Sequence, residues 1–360
     1  MTHDGPVTPE RFRHRVRAWR GDDLVVDTTE ARRLDEPGRP PALLVPGEGP
    51  GGYVRLDHDA LRVEVDDGGD PKRFPTWGDA SDLCDLLDVR PAAEGRYVSA
   101  VRDNWARPVV EGSQILGQAI VAAGRHTGGR RPVSSWMAFT RVAATGEPIE
   151  IEIDEVAAGR TFTTLNVRAR QGPRVCAAGS MLLDVTASAV VRHDVDPPVV
   201  PAPDACPPVD MGVTGRDIRV VDGAYTGDPD APVGPPELDA WVRFHDLPDD
   251  PALHAGLIAQ FTGHLSIAAA LRPHSGVGQD QAHRTLSTAV NAISLSLHRE
   301  VRADQWLLYH HLATSAADGM THSECRVHDR SGSLVASFTV DAMVRGFADP
   351  TSPADERTAL

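Results

Sequence analysis

The feature that most constrains this chain is a pattern of elements that occurs in it twice. Ala122-Ala123-Gly124-Arg125-His126-Thr127-Gly128 closes one apolar, helix-like stretch, and Ala270-Leu271-Arg272-Pro273-His274-Ser275-Gly276 closes another 148 positions later (122 to 270). Thr140-Arg141 is answered by His298-Arg299, Gly159 by Gly319, and Val175-Cys176-Ala177 by Leu334-Val335-Ala336. An offset that stays nearly constant along each half is what a tandem duplication with one lengthened loop leaves behind.

Each copy reads as one helix followed by strands. In the first, Ile115, Leu116, Ala119, Ile120 and Ala123 share a helical face within 109–128. Strands are predicted at 96–101, 133–142, 148–156, 161–170 and 175–185. In the second copy, 251–274 reads as one long helix. Leu253, Leu257, Phe261 and Leu265 recur every four residues, and Ile258 and Ile267 widen the stripe. Asp249-Asp250-Pro251 supplies a cap and a first-turn proline, and Pro273 stops the helix. Strands follow at 286–298, 305–315, 320–328 and 334–344, with a further one at 217–221 before the helix. A mainly apolar helix followed by such strands suggests an antiparallel sheet wrapped around it, so the fold class is α+β with that unit present twice.

The rest of the chain divides around the copies. Residues 1–95 read as a small β-rich accessory module that includes a hairpin around Arg20-Gly21-Asp22-Asp23. Residues 96–190 are the first copy, 191–215 a linker, 216–348 the second copy and 349–360 a flexible tail. Proline, glycine and aspartate remain frequent as far as Pro236.

Composition removes several function classes. The net charge of −15, from 51 acidic against 36 basic residues, repels phosphate backbones and anionic lipid, and no basic cluster reverses it. Nucleic acid and membrane surfaces are therefore set aside. Lys72 is the only lysine; the arginine excess is read as coding bias and carries no functional weight. The start of the chain lacks an apolar signal core, and no run approaches the ~20 apolar residues of a membrane span, so a cytoplasmic location is expected. Cys84, Cys176, Cys206 and Cys325 lie far apart without a Cys-x-x-Cys pair and read as reduced thiols. No metal or cofactor is expected. His310-His311 sit next to each other on a predicted strand, face opposite ways, and read as surface and core neighbours.

Three stretches carry a resemblance. They are Gly112-Ser113-Gln114-Ile115-Leu116-Gly117-Gln118-Ala119, Leu247-Pro248-Asp249-Asp250-Pro251-Ala252-Leu253-His254, and Trp306-Leu307-Leu308-Tyr309 with Leu334-Val335-Ala336-Ser337. Together they resemble the bacterial acyl-CoA thioesterase II family, whose members are single-chain double hotdogs, each hotdog a curved antiparallel sheet around a long helix. The resemblance implies hydrolysis of an acyl-CoA or acyl-carrier thioester in lipid metabolism, and a homo-oligomer. Residues 16–48 resemble the start of a small β-rich domain of unknown function, with Leu43, Leu44 and Val45 where that family has aromatics.

The family's catalytic aspartate, threonine and glutamine fall at Gly263, Val290 and Val340, so all three polar groups are missing. Two substitutes are available to the chemistry. His264 follows Gly263, and Glu111 precedes the first helix, where amide groups and the helix dipole favour developing negative charge. Glu111 and His264 are the catalytic candidates. Gly112, Ser113, Gln114, Thr262, Gly263, Thr288, Val290, Asn291 and Val340 are the substrate-binding candidates. Strict alternation places Thr288 and Asn291 on opposite faces of their strand, so only one of them is expected in a pocket. The alternative reading is a degenerate protein that binds an acyl thioester, or acts as a scaffold, without hydrolysis.

Overall fold

Twelve strands of the second part of the chain hydrogen-bond into one antiparallel sheet. In chain order they are β1 (Arg90–Ala93), β2 (Arg96–Val98), β3 (Arg131–Phe139), β4 (Glu150–Ala158), β5 (Phe162–Gln171), β6 (Arg174–Asp184), β7 (Arg216–Val220), β8 (Glu237–Phe244), β9 (Leu286–Leu297), β10 (Leu307–Ala317), β11 (Met320–Asp329) and β12 (Leu334–Gly346). Their order across the sheet is β1-β2-β4-β5-β6-β3-β9-β12-β11-β10-β8-β7. With β7 to β12 taken as counterparts of β1 to β6, the order is the same from either edge. The copies meet where β3 pairs with β9, from Ser134 opposite Ser296 to Ala138 opposite Ala292. That seam pairs backbone groups that two separate sheets would leave on open edges. The computed structural model describes residues 8–103, 108–225, 227–228, 230–282 and 284–347; the expected tail at 349–360 lies outside them.

Four helices share the core with this sheet. They are α1 (Ala80–Leu87), α2 (Gly112–His126), α3 (Pro251–Phe261) and α4 (Ser266–Leu271). α2 is buried almost all round, as its apolar residues require. Arg125 and His126 occupy its last turn, where the dipole favours cations. α2 and α3 cross at a pair of glycines. A Cβ on Gly117 would lie 2.6 Å from the Gly256 carbonyl oxygen, and one on Gly256 would lie 2.9 Å from a Val121 methyl group. Only glycine permits so close an approach.

The expected single helix over 251–274 is interrupted. α3 begins as predicted, with Asp250 accepting from the Ala252 amide at 2.9 Å and Pro251 in the first turn. It ends at Thr262, whose hydroxyl is turned back onto the Ala259 carbonyl at 2.6 Å. Leu265 then takes a left-handed conformation (φ 68°), and α4 starts anew. Glycine at 263 and the left-handed residue two positions later break a ladder that hydrophobic spacing alone would have continued.

Residues 10–73 form two four-stranded sheets around their own apolar cluster, which includes Phe12, Val16, Leu43, Val63 and Phe74. Residues 78–93 depart from the expected division. Leu83, Leu87 and Val89 join the main core, and β1 is the edge of the large sheet. α1 had a readable start, since Asp79 and Asp82 form a capping box. Gln118 of α2 donates to the Leu86 carbonyl at 3.0 Å and ties the two helices together. Strand β8 was not predicted, and its partner β7 matches the predicted strand at 217–221 within a residue.

Charged groups fasten the N-terminal sheets to the main body. Asp82 accepts from Arg33 at 2.8 and 2.9 Å and from Arg102 at 3.0 Å. Buried Lys72 lies 3.4 Å from buried Asp217, which also takes Arg243 at 2.9 Å and His245 at 2.7 Å. Burial alone would raise the pKa of Asp217; hydrogen bonds from His245 and Arg243 outweigh it and hold the carboxyl well below its ordinary value. All four cysteines are buried and unpaired. Among the described residues no helix is long and apolar enough to cross a membrane.

Candidate active site

Glu111 is the N-cap residue of α2, yet its side chain makes no cap hydrogen bond. Helix geometry leaves the first amides of α2 without intrahelical partners. The carboxylate is free to reach across to the break after α3. Its Oε2 lies 3.4 Å from Gln260 Nε2 and 4.0 Å from His264 Nε2. His264 stacks flat on Phe261, ring centroids 4.8 Å apart. Burial pushes its pKa below the ordinary value against the pull of Glu111, so the imidazole is neutral at pH 7.

Two cavities meet at Glu111 and His264. The larger, about 790 Å³, is lined by Gly112, Ser113, Gly263, Thr288, Val290 and Asn291 among others. The smaller, about 200 Å³, contains Gln114, Gln260 and Arg216. The structure thus brings nine of the eleven candidate residues to the two cavity walls (Gly112, Ser113, Gly263, Thr288, Val290 and Asn291 to one, Gln114 to the other, Glu111 and His264 to both). Thr262 and Val340 line neither of them. The Thr262 hydroxyl is spent on the helix end, and Val340 packs in the core opposite Ile293.

Thr288 and Asn291 face the same cavity, contrary to the alternation argument. The register between β9 and β12 slips between Val290 and Ala292, so Asn291 is an extra residue in a β-bulge and the faces exchange there. Among the described residues the Asn291 Oδ1 is buried without a hydrogen-bond partner. His310 and His311 do face opposite ways: His310 pairs with Asp239 at 2.8 Å, and His311 is fully buried, 3.2 Å from the Ser266 hydroxyl.

Two site residues escaped the sequence reading. Gln260 sits within an otherwise apolar helical stripe. Arg216, on β7, is 3% exposed and lies over the Phe261 ring at 5.6 Å. Burial pulls its pKa down to about 10 while Glu111 pushes it up, so the guanidinium is charged at neutral pH. Nothing local in Thr-Gly-Arg-Asp-Ile marks it; only the packing of β7 against the end of α3 places it.

Family profiles for the N-terminal and C-terminal domains of acyl-CoA thioesterase match residues 101–183 and 194–344. The chain belongs to the acyl-CoA thioesterase family. Among solved structures, acyl-CoA thioesterase II TesB2 of Mycobacterium marinum superposes with a TM-score of 0.63 at 25% identity, over 74% of this chain and 99% of that one. A TesB protein of Mycobacterium avium subsp. paratuberculosis gives 0.63 at 23% identity, over 73% and 98%. A protein of unknown function with a hot dog fold from Alicyclobacillus acidocaldarius gives 0.60 at 16% identity, over 74% and 98%. The fold is thus that of the hotdog thioesterases, with mixed helix and strand.

The space around Gly263 is already filled. A Cβ there would lie 2.4 Å from Ser113 Oγ and 2.9 Å from Ser113 Cβ. The serine at the start of α2 occupies the room in which a side chain at 263 would begin.

Proposed function

We propose that this chain hydrolyses acyl-CoA thioesters at the meeting point of the two cavities, with Glu111 as the general base. The observation that carries this reading is the Glu111 carboxylate, held between Gln260 and His264 at the amide end of α2. The thioester carbonyl oxygen would point at the Gly112 and Ser113 amides, where the helix dipole favours an oxyanion. Glu111 takes a proton from a water as its oxygen adds to the thioester carbon. Collapse of the tetrahedral intermediate breaks the C–S bond, the proton passes to the leaving thiolate, and the products are a carboxylic acid and a free thiol. Neutral His264 and the Gln260 amide orient the water. In this account the missing aspartate and glutamine are replaced by another carboxylate and another amide.

The large sheet is read as two hotdogs side by side, and residues 10–73 as an accessory module fastened to them. Four buried reduced thiols fit a reducing, cytoplasmic compartment. Family habit favours a homo-oligomer in lipid metabolism; an acyl-carrier thioester is the variant substrate. A second reading, binding without hydrolysis, is favoured by the loss of polar groups at Gly263, Val290 and Val340. Purified protein with acyl-CoAs of graded chain length separates the two: enzyme-dependent release of free thiol is expected. Saturable binding of the same compounds with no thiol released would replace the hydrolase by the binding protein.

A further inference from the structure

Arg216 is a buried cation whose purpose the hydrolytic chemistry does not use. Among the described residues its Nε is enclosed without a hydrogen-bond partner, and what faces the group is the Phe261 ring at 5.6 Å and the charges of Glu111 and Asp210. A buried guanidinium without hydrogen-bonded partners is costly, and a carboxylate on a ligand would supply them. Arg102, the other arginine of the smaller cavity, is already matched by Asp82. The smaller cavity also has two carboxylates. Glu147 lies half in solvent, 3.7 Å from Arg174, and Glu111 faces both cavities.

The placement of the groups decides what Arg216 meets. Gly112 and Ser113, whose amides would hold the thioester carbonyl, line only the larger cavity, and Arg216 lines only the smaller. Glu111 stands between them. An acyl group whose carbonyl is held at α2 and whose tail passes Glu111 enters the cavity that Arg216 lines. We infer that the smaller cavity binds the acyl tail and that Arg216 recognises a terminal carboxylate on it, so that the preferred substrates are thioesters of short dicarboxylic acids. The cavity of about 200 Å³ is below the ~300–1,000 Å³ usual for drug-sized ligands, which keeps the tail short. A planar guanidinium suits a carboxylate because it donates two parallel hydrogen bonds.

The inference takes the position of the thioester from the proposed function, so its test has a readout that does not need turnover. Glutaryl-CoA and pentanoyl-CoA, equal in carbon count, are compared on the full chain by thiol release and by calorimetric binding. Glutaryl-CoA is expected to be preferred by about tenfold or more, mainly in KM and Kd, the scale of one charge-assisted contact. In Arg216→Gln the ratio between the two compounds is expected to fall to near one, and Arg216→Lys should recover part of it. Retention of the preference in Arg216→Gln, or no preference in the unaltered protein, overturns the inference. If neither compound is hydrolysed yet glutaryl-CoA binds preferentially through Arg216, the hydrolase reading fails and the carboxylate site stands. Thermal melting of both variants establishes that each is folded.

Discussion

The two copies differ most at their helices. In the first, α2 runs unbroken for fifteen residues. In the second, the equivalent run stops at Phe261 and restarts at Ser266. The break places His264 against Glu111 and opens room at Gly263 for Ser113 of the other copy. Duplicated units thus need not keep their chemistry in corresponding places. Here the polar cluster forms where the intact helix begins and the broken one ends.

The largest effect is expected from Glu111→Gln, which keeps shape and removes basicity. If the intact helix carries the base, kcat falls by about 10²–10⁴-fold. A loss below threefold would move the chemistry back to the second copy. Next comes Gly263→Asp, which puts a carboxylate where the sequence resemblance places the family's aspartate. Alone it is expected to destabilise by about 1–3 kcal/mol in urea unfolding, because its Cβ collides with Ser113. Combined with Ser113→Gly, the cost should fall short of the sum of the single changes by about 0.5 kcal/mol or more. Strict additivity would mean that the two residues do not compete for the same room.

The helix crossing offers a matched pair of smaller changes. Gly117→Ala must push α3 away and is expected to cost about 1–2 kcal/mol. Gly124→Ala, whose nearest neighbour would be Ala252 Cβ at 3.8 Å, is expected to stabilise by up to about 1 kcal/mol through helix propensity. Equal effects would show that the crossing is not tight.

The smallest effect concerns pH. Burial holds His254, His264, His298, His311 and His328 below the ordinary imidazole value, His311 at about 3, and all belong to the second copy. Such groups protonate in the unfolded chain near pH ~6.5 but resist it in the fold. Their stability contribution is therefore complete above that pH and is lost as pH falls toward 3. Hydrogen-exchange protection across 251–271 is expected to drop before that across 112–126 between pH 7 and 5. His311→Asn should reduce the pH slope of urea unfolding. Simultaneous loosening of both helices would remove this asymmetry.

The architecture was legible because it rests on periodicity. Most strands of the large sheet fall within a few residues of their predicted places, and α2 within three at its start, since alternating and four-residue spacings are local properties of the chain. β8 was overlooked beside a proline-rich stretch, and α1 was hidden in a segment assigned to the N-terminal sheets although its capping residues were visible. The site was legible only in part. Glu111 and His264 are read from their places next to a helix start and a helical glycine. Gln260, masked by its apolar neighbours, and Arg216, on a strand over thirty residues from α3, were not.

What the sequence determined by itself is the repeated unit, because burying one face of a helix or strand imposes a spacing on neighbouring residues. What only the tertiary structure decided is which residues of one copy touch those of the other. The crossing of Gly117 over Gly256 and the bulge that turns Asn291 inward each depend on atoms distant in the chain. Those contacts arise from packing in three dimensions, and no local pattern of side chains encodes them.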